Sequence, residues 1–454
     1  MDWGVVESFI LEKMSEYRMP GLSLVFIKGG EVVYAKGFGY RDLEVLAPAT
    51  PGTVYGVGSI TKSFTALSIL VLAERGLLSL DDPVGRYVGL DLRVGGQPVA
   101  VHHLLTHTSG VPALGYAEAF IRSVLGLDGL WLPLSYADDV LTFMRGFEGW
   151  VEAKPGERFF YLNEGYVILG KVVEKISGLS YEDFVRKNIL EPLGMKRSYF
   201  RREEVERDGD VAVGYIVDRE GRHVKSRFPY GVTADGGLLS NPLDMARYIS
   251  LLLNRGVYNG VEIISSKSIE IAESIHAKLP YESITADGYG YGLMIKEDFL
   301  GRKLVGHGGS VLTYTAYMGY VRDGNVGIAI MSNCSGYPLS LIALYTLAYT
   351  LGYDPEKLEF RKLDKVYSKL QGVYETFKGT MKLTVRRRAG TLVVEYRDRL
   401  VEDVTPLTPV KVEEDYALFN AYTLTGRIPV EFRVRDERVE MIYERYKLVK
   451  VPKV

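Results

Sequence analysis

Ser59-Ile60-Thr61-Lys62 opens the most informative stretch of the 454-residue chain. Residues 61–74 carry apolar side chains at helical spacing and end before Gly76, which predicts a buried central helix. Lys62 lies one helical turn after Ser59, on the same face. A serine hydroxyl needs a neighbouring base at neutral pH, and a helix start adds a positive dipole. We therefore predict a Ser59 nucleophile activated by Lys62; the alternative is an N-cap serine followed by a solvated lysine.

Tyr161-Leu162-Asn163 is the second motif, in a polar loop before a predicted helix at residues 166–176. A nearby ammonium favours the phenolate form of a tyrosine, so Tyr161 could accept the Ser59 proton and return it to a leaving group. The Asn163 amide could hold Lys62 and orient a substrate amide. Because the chain contains 32 tyrosines, this short motif is informative only together with the other two motifs.

Gly306-His307-Gly308-Gly309-Ser310 is the third motif, and the apolar pattern places it at the start of a strand. Small residues at Gly308 and Gly309 would let a substrate backbone lie along the strand edge. A backbone N–H near Ser310 could complete an oxyanion hole with the N–H of Ser59. His307 is therefore a candidate catalytic residue, and the alternative is a histidine in a glycine turn.

In this order the three motifs resemble those of the serine beta-lactamase and penicillin-binding-protein superfamily, on its class C beta-lactamase and D-amino-acid peptidase side. Residues 103–112, 192–195 and 234–238 also look like recurring segments of that family, and the resemblance covers residues 5–350. It implies an α/β (α+β) domain beside a helical subdomain, with the site between them. It also implies a serine hydrolase that works without a cofactor.

One departure from the family concerns substrate recognition. Beta-lactamases and carboxypeptidases of this superfamily usually have Lys-Thr-Gly where this chain has His307-Gly308-Gly309. That lysine supplies a cation for the substrate carboxylate, whereas a histidine with an ordinary pKa near 6.5 is mostly neutral above pH 7. Relatives with histidine here resemble esterases and D-amino-acid-specific peptidases. Tyr161-Leu162-Asn163 in place of Ser-Asp-Asn also argues against the class A mechanism.

The predicted domains are a beta-lactamase-like catalytic domain, residues 1–358, and a C-terminal antiparallel β-barrel of lipocalin-like form, residues 359–454. The first begins with an amphipathic helix and a hairpin at residues 22–27 and 31–36, and further strands near residues 292–331 should join the same sheet. After residue 358 the pattern changes to short alternating stretches, which indicate six or more antiparallel strands.

The C-terminal region also differs in charge. From Phe360 onward it holds 20 Lys and Arg against 14 Asp and Glu, a net charge of +6, whereas the remainder of the chain holds 35 against 43, a net charge of −8. Opposite charges favour docking of this domain on the catalytic domain, within one chain or in a neighbouring subunit. We therefore expect a homo-oligomer assembled through the C-terminal domain.

Several other site classes are expected to be absent. Arg386-Arg387-Arg388 could contact nucleic acid, but a solvated strand face explains it equally well. His102, His103 and His107 lack a His-Glu-x-x-His motif, and Cys334 is the only cysteine, so we predict no metal and no cofactor. The uncharged residues 324–353 are interrupted by polar residues and are too short in apolar length for a membrane span, which favours a buried strand and helix.

The sequence shows no export signal after Met1, so a cytoplasmic protein is expected. Only Gln97 and Gln371 are glutamines, a depletion found in thermophile proteins. The predicted function is a serine peptidase or amidohydrolase that acts through an acyl-enzyme on small peptides containing D-amino acids. A carboxylic ester hydrolase and a non-catalytic protein that binds peptides or cell-wall fragments are the alternatives.

Overall fold

The structure, a computed structural model, describes residues 1–127, 134, 136–231, 234–388, 390–424, 426–435 and 438–452. It contains two compact units, Met1–Leu351 and Gly352–Val454. The units and the sequence-based domains differ in the assignment of residues 352–358. The domain boundary after residue 358 stays a prediction.

A nine-stranded antiparallel sheet is the framework of the first unit. Strand Gly21–Lys28 is apolar and buried along nearly its whole length, since it pairs on one side with Glu31–Asp42 and on the other with Val326–Ser332. The early and late strands of the unit therefore meet in one sheet, as predicted. In spatial order the strands are Ala277–Lys278, Gly288–Tyr289, Met294–Phe299, Arg302–Ser310, Thr315–Val321, Val326–Ser332, Gly21–Lys28, Glu31–Asp42 and Ala47–Pro48.

The predicted central helix is confirmed as Thr61–Glu74, and every residue from Thr61 to Leu72 is buried. A helix that is apolar on all sides requires cover on all sides, and helix Asn163–Ser177 supplies part of it. The other α-helices of this unit are Gly4–Glu16, Val101–Leu105, Tyr116–Val124, Ala137–Phe143, Tyr181–Val185, Glu191–Leu193, Arg202–Val205, Pro242–Leu253, Ser266–Ala272 and Leu339–Thr350.

The described residues of the first unit also form four small two-stranded pairings. One of them, Tyr55–Gly56 with Leu239–Ser240, joins the chain just before Ser59 to the segment just after Asp235. The others are Arg93–Val94 with Gln97–Pro98, Gly214–Val217 with His223–Ser226, and Val257–Tyr258 with Val261–Glu262. The first pairing brings two distant sequence segments to the same wall of the fold.

The placement of the third motif at a strand start is wrong. Strand Arg302–Ser310 runs through the whole motif and ends with it, because each residue from Gly306 to Ser310 pairs with strand Thr315–Val321. Glycine has low strand propensity, so the local pattern indicated a turn before a new strand. Hydrogen bonding to strand Thr315–Val321 nevertheless holds the whole motif in the strand.

The segment considered as a membrane span forms strand Val326–Ser332 and helix Leu339–Thr350. Both elements are almost entirely buried in the first unit. Among the described residues, no helix combines the length and the apolar character that crossing a bilayer requires.

The second unit is a closed barrel of eight antiparallel strands, which confirms the predicted fold. They are Gly372–Glu375, Lys382–Arg388, Thr391–Arg397, Glu402–Val412, Tyr416–Thr423, Gly426–Arg435, Arg438–Tyr443 and Tyr446–Lys450. Helix Glu359–Leu370, which precedes the barrel, was not predicted from the sequence. Val366, Tyr367 and Leu370 of this helix pack into the barrel core, so its apolar stripe is short and easily overlooked.

Candidate active site

Ser59 lies in the short 3-10 turn Gly58–Ile60, directly before the central helix. Gly58 has φ +54°, a left-handed conformation that glycine adopts without steric cost. The Ser59 side chain is partly exposed and lines a cavity of about 620 Å³. Tyr161, Asn163, Asp235 and the strand segment from His307 to Ser310 line the same cavity. The structure therefore brings all three sequence motifs to one cleft.

Lys62 is completely buried, and its ammonium group has three hydrogen-bond partners. Nζ lies 3.2 Å from Ser59 Oγ, 2.8 Å from Asn163 Oδ1 and 2.8 Å from the backbone oxygen of Asp235. Asn163 thus holds Lys62, the contact expected from the sequence. Asp235 was noticed in the sequence only as part of a family segment. Its long-range contact with Lys62 carries no local sequence signal.

The Tyr161 ring lies beside Lys62. The Lys62 Nζ lies 4.9 Å from the centre of the Tyr161 ring, which is a cation–π contact. The Tyr161 hydroxyl forms no hydrogen bond with any residue that the structure describes. In this arrangement Lys62, and not Tyr161, is the group in contact with the Ser59 hydroxyl.

The strand segment of the third motif approaches the Ser59 turn closely. A Cβ on Gly309 would lie 1.9 Å from the backbone oxygen of Val57 and 2.9 Å from the nitrogen of Ser59. A Cβ on Gly58 would lie 2.7 Å from the nitrogen of Ser310. Glycine at both positions is therefore what lets the backbone N–H of Ser59 and the end of the strand come together.

We expect Gly309→Ala to destabilise the protein by about 1 to 3 kcal/mol and to displace the Ser59 turn, because the new methyl overlaps backbone atoms. Gly308→Ala is the matched control, since its Cβ meets nothing closer than 3.9 Å. Thermal unfolding and the rate of fluorophosphonate labelling at Ser59 measure the two effects. Equal behaviour of the two variants would contradict the close approach.

His307 is buried and fully hydrogen-bonded. Its Nδ1 lies 2.6 Å from the Gly308 oxygen and its Nε2 lies 3.0 Å from the Tyr289 hydroxyl. Because a carbonyl only accepts, Nδ1 carries the proton, and the Tyr289 hydroxyl donates to Nε2. Burial lowers the pKa of His307 to about 4; the bond to Gly308 opposes this shift and the charge of Lys62 adds to it. His307 is therefore neutral at pH 7, and the value near 6.5 assumed from the sequence is too high.

This pKa predicts an acid-dependent loss of stability. Between pH 6.5 and about 4 the unfolded chain binds a proton at His307 and the folded chain does not, so stability falls as the pH falls through that window. The difference in unfolding free energy between the wild type and His307→Gln should shrink by up to about 1.4 kcal/mol per pH unit. Denaturant unfolding at pH 7 and pH 5 measures it. A constant difference would contradict the lowered pKa.

The three histidines considered as a metal cluster bond to separate groups. His103 Nδ1 accepts from the Ala100 N–H at 3.0 Å, and His107 Nδ1 accepts from the Leu162 N–H at 2.9 Å. His102 Nδ1 lies 2.7 Å from the Tyr291 hydroxyl. Each ring thus fixes a different part of the backbone or a neighbouring side chain. The His107 ring also packs 4.2 Å from the Tyr161 ring, so it supports the second motif.

Comparison with known proteins gives family matches for both parts of the chain. A sequence model described as beta-lactamase matches residues 6–349, and one described as the Pab87 octamerisation domain matches residues 355–449. Protein flp of Staphylococcus aureus (strain MW2) is 27% identical over 334 residues, which are 72% of this chain and 62% of that protein. The chain therefore spans less than two thirds of the length of this curated relative.

Solved structures show similarity over both parts. The octameric penicillin-binding protein homologue from Pyrococcus abyssi has 52% sequence identity and a TM-score of 0.95, and the match covers 99% of this chain and 100% of that one. The D-amino acid amidase from Ochrobactrum anthropi SV3 has 24% identity and a TM-score of 0.62, over 77% and 97% of the two chains, and shows the shared fold. With a family match across nearly the whole first unit, the chain belongs to the beta-lactamase family.

Proposed function

We propose that the chain is a serine amidohydrolase that forms an acyl-enzyme on Ser59 and acts on small peptides or amides containing D-amino acids. The observation that carries the proposal is the contact between Lys62 Nζ and Ser59 Oγ, 3.2 Å apart at the wall of the cavity. A nucleophile beside a nitrogen base in an accessible cleft is the arrangement that acyl transfer requires.

The partners of Lys62 support its role as the proton acceptor. Asn163 Oδ1 and the Asp235 backbone oxygen can only accept hydrogen bonds, so they engage two N–H groups of the amine. To act as the base, Lys62 has to be deprotonated, and its lone pair then faces the third partner, the Ser59 hydroxyl. Lys62 takes the serine proton as Oγ attacks the substrate carbonyl, and it returns a proton to the departing amine.

The remaining steps use the same groups. Negative charge develops on the carbonyl oxygen in the tetrahedral intermediate, and the N–H groups of Ser59 and Ser310 are the proposed donors to it. Their suitability rests on the close approach of Gly309 to the Ser59 turn. Water then attacks the ester on Ser59 with Lys62 again taking the proton, the bond to Ser59 Oγ breaks, Lys62 returns the proton to Oγ, and the acid product leaves. Tyr161 lines the cleft as a second candidate for proton transfer to the leaving group.

Because His307 is neutral, it offers no cation to bind a free carboxylate of the substrate. This supports an amide or ester substrate that the enzyme recognises without such a carboxylate. The Lys-Thr-Gly cation of carboxypeptidase relatives is replaced by a ring that is uncharged at pH 7. The D-amino acid amidase with the same fold supports the choice of D-residues. A carboxylic ester hydrolase is the second candidate, because a site without that cation also accommodates uncharged esters. A non-catalytic peptide-binding protein is the third, and it would need no Lys62 contact with Ser59.

A matched substrate panel tests the proposal. The purified protein is incubated with D- and L-alanine p-nitroanilide and with the corresponding p-nitrophenyl esters, and kcat/KM is compared. We expect turnover of the D-anilide at least about tenfold above its L-isomer, since a shaped site distinguishes isomers by about 1.4 kcal/mol or more. Hydrolysis of the esters alone would favour the ester hydrolase, and no turnover with no labelling of Ser59 would favour the binding protein.

We also propose that the chain forms a homo-oligomer through its barrel. The match of residues 355–449 to an octamerisation domain supports this assembly, as does the octameric state of the Pyrococcus abyssi homologue. Light scattering of the full chain should give a mass about eight times that of the 50.8 kDa protomer. A monomeric mass at micromolar concentration would contradict the proposal.

A further inference from the structure

The carboxyl group of Asp235 stands on the wall of the Ser59 cavity without a cationic partner. Its side chain is only 7% exposed, yet Asp235 lines the cavity. Oδ2 accepts a hydrogen bond from the Tyr116 hydroxyl at 2.5 Å. Within the described part of the chain, Asp235 has no ion pair and Oδ1 has no hydrogen bond to another residue. Burying an ionised carboxylate that has no ion pair is unfavourable in free energy unless a cation binds beside it.

The backbone of Asp235 fixes this carboxyl group close to the reacting atoms. Its backbone oxygen accepts from the Lys62 ammonium, which is also in contact with Ser59 Oγ. Tyr116, which begins helix Tyr116–Val124, holds the side chain from the other side. Asp235 is therefore held through its backbone and through its side chain, and it lines the same cavity as Ser59.

Charges around the cleft favour a cation at this place. Burial raises the pKa of Asp235, Lys62 opposes that shift, and the carboxylate of Glu118 adds to it. Burial likewise raises the pKa of Glu164, to about 7, and its Oε1 accepts from the Tyr116 N–H. Arg122 also lines the cleft and is exposed. Among the described residues that line the cleft, the acidic ones are Glu118 and Asp235, and the basic one besides neutral His307 is Arg122.

We propose that the Asp235 carboxylate binds the α-ammonium group of the substrate, so that the enzyme releases the N-terminal residue of peptides and the acid from amino-acid amides. This inference rests on the proposed acyl-enzyme at Ser59. The bond from Ser59 Oγ to the carbonyl carbon of the first residue forms, and the C–N bond to the next residue breaks. The departing amine takes the proton from Lys62, while the ammonium stays at Asp235. Neutral His307 agrees with recognition of the amine end.

Asp235→Asn is the decisive variant, because it removes the charge and keeps the shape and an oxygen for Tyr116. We expect kcat/KM for D-alanine p-nitroanilide to fall by about 30-fold or more, the usual loss when one partner of a desolvated charge pair is removed. Activity on N-acetyl-D-alanine p-nitroanilide should be low in the wild type, and the variant should stay within about threefold of that wild-type value. Glu152→Gln, an exposed carboxylate that does not line the cavity, is the matched control and should change neither substrate by more than about threefold.

The outcomes separate this inference from the proposed function. Fluorophosphonate labelling of Ser59 and turnover of p-nitrophenyl butyrate report on the nucleophile alone. If both persist in Asp235→Asn while only the free-amine substrate loses activity, the ammonium site is supported. An equal loss on all substrates, or none on the free amine, overturns the ammonium site and leaves the Ser59 chemistry standing. A wild type that neither labels nor turns over overturns both.

Discussion

Ser59→Ala is expected to lower kcat by about 10⁴-fold or more on any amide that the wild type hydrolyses, because it removes the atom that forms the acyl-enzyme. Fluorophosphonate labelling of the chain should disappear with it. The fold should survive, since the Ser59 side chain is partly exposed and its hydroxyl contacts Lys62 at the wall of an open cleft. Steady-state kinetics, intact mass after labelling and circular dichroism measure these three effects.

Ser63 provides the matched control for this variant. It lies four residues after Ser59, in the first turn of the central helix, is buried, and donates its hydroxyl to the Ile60 backbone oxygen at 2.8 Å. Ser63→Ala should keep the fluorophosphonate adduct on Ser59 and lose at most a modest amount of stability. A fluorophosphonate adduct found on Ser63 or Ser109 of the wild type would contradict the assignment of Ser59 as the nucleophile.

Lys62→Ala and Tyr161→Phe should each lower the acylation rate by about 10²-fold or more, the usual contribution of a proton-transfer partner. Tyr161→Phe is the cleaner change, because the Tyr161 hydroxyl bonds to no described residue and its removal breaks no fold contact. Lys62→Ala also leaves Asn163 Oδ1 and the Asp235 oxygen without their donor, so its stability must be measured alongside.

The double variant decides whether the two residues serve one proton path. We expect its loss to be close to that of Lys62→Ala alone, since groups that act as a unit are strongly non-additive. Single-turnover acylation with a chromogenic ester measures the rate before product release. Losses that multiply would show independent roles, and a fully active Tyr161→Phe would leave Lys62 as the only proton acceptor.

The sequence predicted the local part of the site and most of the fold. Ser59 and Lys62 are three residues apart, so helical geometry alone places them together, and the buried central helix was recognised from its own apolar spacing. The hairpin Gly21–Lys28 with Glu31–Asp42 and the C-terminal barrel were predicted from alternation and turns. Each of these signals is contained within a short stretch of chain.

Contacts between distant segments could not be predicted in the same way. Asp235 meets Lys62 across 173 positions and Tyr116 across 119, and neither pair is marked by local spacing. The glycine-rich strand end at Gly306 to Ser310 exists because strand Thr315–Val321 pairs with it, against local propensity. The low pKa of His307 has the same origin, since burial and nearby Lys62 arise only in the folded chain.

The acyl-enzyme on Ser59 can be trapped and located in the chain. A D-alanine ester is mixed with the wild type and quenched in acid within the first turnover, and the digested protein is mapped by mass spectrometry. We predict one D-alanyl group on the peptide that contains Ser59, and none in Ser59→Ala. Turnover of the ester with no covalent adduct, or an adduct on another residue, would contradict it.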